Sequence, residues 1–217
     1  MMVVAKKPPK GCKETLIKKV AKTAKGVALR RNYAGQYGAT TAVPKRYKIA
    51  HKVLMKVHKL LGLDKCRGCF TGAAPIQRQI LDYFASLDLP IYELFGQSEC
   101  SGPHTMNYPG YWKMGTCGQP LRGTETRIDP ATGELQYRGR HIFMGYLKNI
   151  EETKKCLSRE GWLCSGDQAK LDDDHFLSIT GRIKEVSERN ERALMKTRIL
   201  AMNPAKWLDR HKGYIHY

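Results

Sequence analysis

The 217-residue sequence contains no apolar run that approaches 20 residues, and its opening stretch, MMVVAKKPPKG, includes no long apolar segment. A membrane-spanning helix needs about 20 mainly apolar residues, and the core of a secretory signal peptide needs roughly 7 to 15. The sequence therefore predicts a cytoplasmic protein. A chain of this length has room for one or two domains with a hydrophobic core.

Paired metal-binding cysteine motifs are also missing. The seven cysteines are an odd number, and Cys66 and Cys69 form the one close CxxC pair. Because no second pair and no suitably spaced histidine accompanies them, we expect no structural zinc site. Reduced thiols are the expectation for a cytosolic chain, with Cys117 and Cys164 packing as small apolar residues.

Acidic residues are scarce at the N-terminus. Residues 1–65 hold 17 Lys/Arg against 2 Asp/Glu, whereas residues 66–185 hold 14 against 15 and residues 186–217 hold 7 against 3. Most of the net charge of +18 thus belongs to the first segment. Such a segment attracts a peripheral membrane surface, nucleic acid or an acidic partner, or is simply a solvated basic face. Few aromatic residues and no recognised module disfavour nucleic acid.

Apolar periodicity predicts two helices in this basic segment. The first covers 13–30, a linker follows at 31–45, and an amphipathic helix covers 47–63. The basic face of the second helix suits a membrane surface, while docking of its apolar face on a core is the commoner outcome.

The next stretch alternates between strand and helix patterns. Strand 67–71 leads through the small-residue loop 72–75 to helix 76–87, and strand 90–94 leads to the loop 95–105. Ligands of open α/β sheets bind beyond the carboxyl ends of the strands, so both loops are candidate nucleotide contacts.

From 115 to 180 the runs become short and densely punctuated, which favours antiparallel β structure such as a small distorted barrel. We predict an α/β protein of four segments. These are a basic helical part (1–65), an α/β layer (66–114), a β-rich subdomain (115–185) and a divergent basic tail (186–217).

Residues 161–185, GWLCSGDQAKLDDDHFLSITGRIKE, predict a strand, an acidic turn at 172–174 and a second strand. This hairpin brings Asp167 and Arg182 to the same end. Asp167 has two oxygens that can accept hydrogen bonds from vicinal ribose hydroxyls, and Arg182 has a planar fork of donors for a phosphate or ribose oxygen. The plain alternative is an ordinary hairpin with a surface Asp and Arg.

Ser98 and Glu99 combine a hydroxyl and a carboxylate at a strand end. Mg²⁺ prefers such hard oxygen ligands, so this pair is a candidate site for Mg²⁺ and a phosphate oxygen. The alternative is a tight loop with a surface Glu.

Four ordered motifs resemble one enzyme superfamily. GAAP at 72–75, ELFGQSECSGPHT at 93–105, GELQYRGRHIFMGYL at 133–147 and the 161–185 segment are similar to the adenylate-forming enzymes, which include acyl-CoA synthetases, luciferases and peptide-synthetase adenylation domains. The amino-acid sequences of the second and third motifs resemble those of the bubblegum-type long-chain fatty acyl-CoA synthetases.

The resemblance implies a role for each matching residue. Ser98 stands as a phosphate contact, Glu99 as the Mg²⁺ ligand, and His104 as a residue of the acyl pocket or a hydrogen-bonded structural histidine. The segment containing Arg138 and Tyr146 supports the site in this family. The remaining nucleotide contacts fall into two groups. At the adenine, Phe95 would stack on the ring in place of the usual Tyr, next to Gly96 and the loop residues Gly72, Ala73, Ala74 and Pro75. At the ribose, the contacts would be Asp167 and Arg182.

The implied reaction uses ATP, Mg²⁺ and CoA. A fatty acid carboxylate attacks the α-phosphate to give acyl-AMP and pyrophosphate, and CoA then displaces AMP. The chain departs from the family twice. GATTAVPK at 38–45 mimics the family's phosphate loop but lies too close to the GAAP loop, so we regard the likeness as coincidence. After Glu185, beyond the expected hinge at Lys184, the small C-terminal domain does not follow.

Lys196, within MKTR, resembles the family's catalytic lysine, although a basic amphipathic helix is the better explanation of this stretch. We therefore expect a truncated, internally deleted ligase relative that binds adenylate with weak or absent activity. The alternative is a non-catalytic basic protein that binds a membrane surface or nucleic acid on a synthetase-derived scaffold.

Overall fold

A computed structural model describes residues 12–183, which form four helices and eight strands. The helices are α1 (Cys12–Ala34), α2 (Tyr47–Leu60), α3 (Arg78–Ser86) and α4 (Ile150–Cys156). The strands are β1 (Cys69–Thr71), β2 (Ile91–Gln97), β3 (Gly102–Met106), β4 (Gln119–Pro120), β5 (Thr124–Ile128), β6 (Glu134–Gly139), β7 (Leu163–Leu171) and β8 (Leu177–Arg182). None of the described helices is long and apolar enough to cross a membrane.

The first sheet has the order β1-β2-β3-β4. Strands β1 and β2 are parallel and α3 connects them, which confirms the predicted strand–helix–strand unit. The prediction of a loop at 95–105 is wrong, because β2 continues to Gln97 and β3 pairs with it in antiparallel fashion. A 3₁₀ turn at Ser98–Cys100 connects the two strands. This pairing partner is not visible in the local pattern of β2.

The second sheet has the order β5-β6-β7-β8, and β6 and β7 are antiparallel, as expected for a β-rich region. Sequence reasoning missed α4 within this region. The side chain of Asn149 caps that helix by accepting a hydrogen bond from the Glu152 N–H at 3.3 Å, and two glutamates occupy the first turn, where the helix dipole favours negative charge.

The chain divides into two compact units, each described here by itself. Within the described residues, the first comprises 12–125 together with 139–145 and 171–178, and the second comprises 126–138, 146–170 and 179–183. The finer division into four segments stays a prediction.

In the first unit, the two N-terminal helices share a core with the end of α3. Its buried side chains are Ala24, Val27, Ala28, Ala50, Leu54, Leu87 and Leu89. Helix α1 continues four residues past its predicted end, because the buried Asn32 Nδ2 donates a hydrogen bond to the Ala85 carbonyl at 2.8 Å. Helix α2 ends three residues before its predicted end, where Gly62 has φ +72° and the Leu63 N–H donates to the His58 carbonyl at 2.8 Å. The buried Trp112 donates from Nε1 to the Gly35 carbonyl at 2.9 Å.

The second unit is built around one tryptophan. Trp162 is buried, and the guanidinium carbons of Arg127 and Arg138 lie 4.1 and 4.8 Å from its ring centroid. The buried apolar side chains of β6 and β7 are Leu135, Tyr137, Leu163 and Ala169. Arg138 thus supports the fold of this unit by a cation–π contact.

Candidate functional site

A pocket of about 440 Å³ in the first unit brings two of the predicted loops together. Gly72 and Ala73 follow the end of β1, and Gly96 to Ser98 close β2, so the parallel pairing of these strands places both loops at one edge of the sheet. The full lining is Gly72, Ala73, Leu94, Gly96, Gln97, Ser98, Gly102 and Pro103. Ala74, Pro75 and Phe95, predicted as adenine contacts, and Glu99, predicted as the Mg²⁺ ligand, are not among these lining residues.

The adenine-side loop has little tolerance for larger residues. A Cβ on Gly72 would lie 2.6 Å from Leu94 Cδ1, and Ala73 adopts φ +67°, a left-handed conformation that is uncommon for a residue other than glycine. Unusual backbone of this kind often accompanies binding sites. The small residues are therefore required by packing in addition to any contact with a ligand.

Gly96 is also needed by the fold. A Cβ there would lie 2.0 Å from the Gly102 carbonyl oxygen, at the irregular pairing of β2 with β3. Cys100 holds the following turn, because its Sγ donates to the carbonyls of Gln97 and Gly102 at 3.2 and 3.0 Å. Gln97 and the β3 residues in the pocket were missed because residues 95–105 were predicted as one loop, whereas β2 continues to Gln97 and β3 pairs with it.

Ser98 and Glu99 lie in the 3₁₀ turn directly after β2, as predicted. The Glu99 carbonyl accepts a hydrogen bond from the Phe143 N–H at 2.8 Å, which fixes the turn through its main chain. Phe95, half-buried, is paired through its backbone with Thr105.

The donor set of this turn fits Mg²⁺. One carboxylate and one hydroxyl on adjacent residues supply hard oxygens, and Mg²⁺ ordinarily completes its shell with water and substrate phosphates. Within residues 12–183, no three or more His, Cys, Asp or Glu side chains converge, so the described residues offer no all-protein metal cage.

The second unit contains the other predicted constellation. Strands β7 and β8 are neighbours joined by the turn 172–176, and Arg182 Nε lies 3.0 Å from Asp167 Oδ1. The predicted proximity is confirmed. Asp167 is only 5% exposed, so it is not the surface residue of the plain alternative, whereas the Arg182 side chain is 65% exposed.

The part of β7 that carries Asp167 is held by two hydrogen bonds. Gly166 adopts φ +74°, and its N–H donates to Glu134 Oε1 at 2.9 Å. Ser165 Oγ accepts from the Asp167 N–H at 3.1 Å. Glu134 is thus a positioning residue that sequence reasoning did not single out, although it opens the Gly-Glu motif at 133–134.

His104 and His141 form a stacked pair in the first unit. Their rings are 9° from parallel, with His104 Nδ1 3.2 Å from His141 Nε2, and His104 is fully buried. Burial, and to a smaller extent the charge of His141, lowers the pKa of His104 to about 4. This geometry favours the structural role over the acyl-pocket role. Lys184 and Lys196 lie outside the described residues.

The chain matches known proteins in sequence. The profile of the family described as AMP-binding enzyme matches residues 13–147. The long-chain-fatty-acid–CoA ligase ACSBG2 of Gallus gallus is 48% identical over 177 residues, which cover 79% of this chain and 23% of that protein. The ligase of the same name from Xenopus laevis is 47% identical over 182 residues, covering 81% and 24%. The chain spans about a quarter of the length of these curated relatives.

The fold is also shared with solved structures. Apo MatB from Rhodopseudomonas palustris is similar over 64% of this chain and 30% of its own, with a TM-score of 0.51 and 26% identity. The ATP-bound RpMatB-BxBclM chimera B1 has a TM-score of 0.52 over 62% of this chain and 30% of its own, and at 24% identity it speaks for the fold alone. The predicted α/β fold and the resemblance are thereby confirmed, and the chain belongs to the family of AMP-binding enzymes.

Proposed function

We propose that this chain binds an acyl-adenylate and represents the nucleotide-binding part of a long-chain fatty acid–CoA ligase. The parent reaction joins a fatty acid carboxylate to AMP from ATP, releases pyrophosphate, and then transfers the acyl group to CoA. The observation that carries the proposal is the buried carboxylate of Asp167, paired at 3.0 Å with the exposed Arg182.

Asp167 suits a ribose because each of its two carboxylate oxygens can accept a hydrogen bond from one of the two vicinal hydroxyls. The Gly166–Glu134 and Ser165–Asp167 hydrogen bonds support its orientation before a ligand arrives. Arg182 adds further hydrogen-bond donors on its planar guanidinium group.

The pocket of the first unit suits the adenine ring and the phosphate side of the nucleotide. The small residues Gly72 and Ala73 leave room for a flat ring, and Phe95 is the candidate stacking partner. Ser98 and Glu99 would hold a Mg²⁺ ion, which when bound neutralises developing charge on the phosphate oxygens. CoA enters only in the second step.

The ligase activity itself is the finer part of the proposal. The curated relatives are named long-chain-fatty-acid–CoA ligases, and the chain corresponds to about a quarter of their length. We expect residues 38–45 not to act as the phosphate loop, because they lie too close in sequence to the GAAP loop. We therefore infer adenylate binding with weak or absent ligation.

The test is a calorimetric titration of the chain with a non-hydrolysable long-chain acyl-sulfamoyl-adenosine in the presence of Mg²⁺. Asp167→Asn keeps the shape of the side chain but replaces one acceptor oxygen with an amide donor, so we expect at least a tenfold weaker affinity. The matched control is Asp173→Asn in the exposed acidic turn, which should bind like the unaltered chain. Absence of binding by a chain that unfolds cooperatively, or equal affinity of both variants, would contradict the proposal.

A second candidate function is binding to an anionic membrane surface through α1. Leu16 and Ile17 are 63% and 65% exposed, among the lysines Lys18, Lys19, Lys22 and Lys25 of the same helix. Exposed apolar residues among lysines suit the headgroup region of an anionic bilayer, where each basic residue contributes about 1 kcal/mol.

Vesicle co-sedimentation tests this second candidate. We expect the chain to bind phosphatidylserine-containing vesicles and not phosphatidylcholine vesicles, with a loss of more than tenfold when Lys18, Lys19 and Lys22 are changed together to Gln. Changing Lys154 and Lys155 to Gln on the exposed helix α4 is the matched control and should have no effect. Equal loss in the two variants would argue for unspecific attraction by net charge.

A further inference from the structure

We propose that Cys66 and Cys69 form a reversible disulfide, so that the segment before β1 is a site of redox modification. The two Sγ atoms lie 3.8 Å apart. A disulfide requires a separation of about 2.05 Å, which rotation of the two side chains within a short loop can supply. This inference concerns the thiols alone and does not depend on the proposed function.

The loop holds both thiols in place. The Cys66 N–H donates to the Leu63 carbonyl at 3.1 Å, and Cys66 Sγ contacts the Gly68 carbonyl at 3.3 Å. Cys69 is fixed at the start of β1, where it pairs with Ile91. Because the partners are already neighbours, closing the bond costs little conformational entropy.

Cys100 lacks these properties. Cys100 is buried, and its Sγ is engaged with the carbonyls of Gln97 and Gly102. Cys66 is exposed, whereas Cys69 is half-buried. Reactive thiols are accessible and lie near positive charge, and Cys66 stands between Lys65 and Arg67 in the sequence.

The order of reaction follows from this asymmetry. Burial, and then the hydrogen bond with Cys66, raises the pKa of the Cys69 thiol, so Cys69 is the poorer first nucleophile. The Cys66 thiolate attacks oxidised glutathione, forming a mixed disulfide and releasing one glutathione thiolate. The Cys69 thiolate then attacks Cys66 Sγ, forming the internal disulfide and releasing the second glutathione. Two thiols lose two electrons in total, and one oxidised glutathione is reduced to two thiols.

The position of the pair gives the modification a consequence. Cys69 begins the three-residue strand β1, and the residues that directly follow the strand, Gly72 and Ala73, line the pocket. A cross-link at the start of so short a strand restrains the loop at its end.

Peptide mapping tests the proposal. The full chain is equilibrated with oxidised glutathione, alkylated and digested with trypsin, which cleaves after Lys65 and Arg67. The internal disulfide then joins two peptides, 66–67 and 68–78, and a reducing agent separates them. We expect this linked pair in the unaltered chain and in the control Cys117→Ser.

Two variants test the order of attack. Cys69→Ser should stop at one glutathione on Cys66, because the second thiol is missing. Cys66→Ser should remain largely unmodified at Cys69. The proposal is overturned if the unaltered chain retains glutathione on Cys66 without forming the linked peptides, or if Cys69 is modified equally well without Cys66. Because Cys66 lies in the loop before β1 and Cys69 is the half-buried first residue of that strand, equal thermal unfolding of the reduced chain and the variants serves as the folding control.

Discussion

At the scale of single residues, the His104–His141 pair makes stability depend on pH. His104 binds a proton with a pKa of about 4 in the folded protein and of 6.5 when it is solvated. Between these values the unfolded state binds the proton and the folded state does not. The free energy of unfolding therefore decreases as the pH falls from 6.5 to 4, by on the order of 3 kcal/mol in total.

His104→Gln should flatten this dependence, because glutamine does not titrate. Urea unfolding at several pH values between 4 and 7 measures the slope. His175→Asn, at an exposed turn position with φ +62°, is the control and should keep the slope of the unaltered chain. A variant at position 104 with an unchanged slope would show that the buried pair does not set the acid sensitivity.

Sequence reasoning worked at the residue scale where a short-range pattern determined the geometry. The hairpin spacing around the acidic turn was sufficient to predict that Asp167 and Arg182 meet, and the strand-end rule grouped Gly72 with Ser98. Glu134 was missed because its contact with the Gly166 N–H spans 32 residues of sequence. The pattern of neighbouring residues in the sequence does not indicate such a contact.

At the scale of elements, the approach of β3 to β2 depends on one glycine. Since a Cβ at position 96 would lie 2.0 Å from the Gly102 carbonyl oxygen, Gly96→Ala must push the two strands apart. We expect a loss of more than 2 kcal/mol in the free energy of unfolding, typical of backbone clashes and strain. Chemical denaturation followed by circular dichroism is the measurement.

Gly26→Ala in α1 is the matched control for this prediction. Nothing lies within 4 Å of a Cβ there, and alanine in a helix is favoured over glycine by roughly 0.5–1 kcal/mol. The two variants should thus change stability in opposite directions. If Gly96→Ala proved neutral, β3 would have to pair with β2 less closely than described.

The turn between β7 and β8 is organised by Asp172. Its Oδ1 accepts hydrogen bonds from the N–H groups of Asp174 and Phe176 at 3.0 and 2.8 Å, and its Oδ2 accepts from Lys113 Nζ at 2.7 Å. Desolvation raises the pKa of Asp172, but these hydrogen bonds and the charge of Lys113 outweigh it, so the pKa is lowered. The resulting stabilisation is present above the ordinary carboxyl pKa and is lost as the pH falls below it.

Asp172→Ala should therefore destabilise the protein by about 1 kcal/mol at neutral pH, because the half-buried Phe176 N–H and the exposed Asp174 N–H lose their acceptor. Asp173→Ala, in the same turn and exposed, should change stability by less than about 0.5 kcal/mol. Thermal melts at pH 7 measure the stability of the two variants. Equal melting temperatures would contradict the role of Asp172 in organising the turn.

Elements were predicted well where one periodic pattern occupied one segment, as in α2 and the strand–helix–strand unit around α3. Their ends were less predictable. The extension of α1 depends on Asn32 reaching the carbonyl of Ala85, and the extension of β2 depends on pairing with β3. For α1 the partner lies 53 residues away in sequence, and for β2 the partner is the next strand of the same sheet.

At the scale of the whole molecule, the basic N-terminal segment is an integral part of the first unit. Helices α1 and α2 bury Ala28 and Leu54 against Leu87 and Leu89, so their lysines lie on a folded scaffold. A charge count of the sequence alone located the excess but could not predict this packing, since core contacts between α1 and α3 join residues more than 50 positions apart.

The placement of the two described tryptophans gives each compact unit its own optical reporter. Trp112 is buried in the first unit against the Gly35 carbonyl, and Trp162 is buried in the second between two guanidinium groups. In a Trp207→Phe background, replacing either indole by Phe leaves the fluorescence of the other. Denaturation of the two single-tryptophan proteins then follows the melting of each unit separately, so cooperativity across the chain becomes a directly measurable quantity.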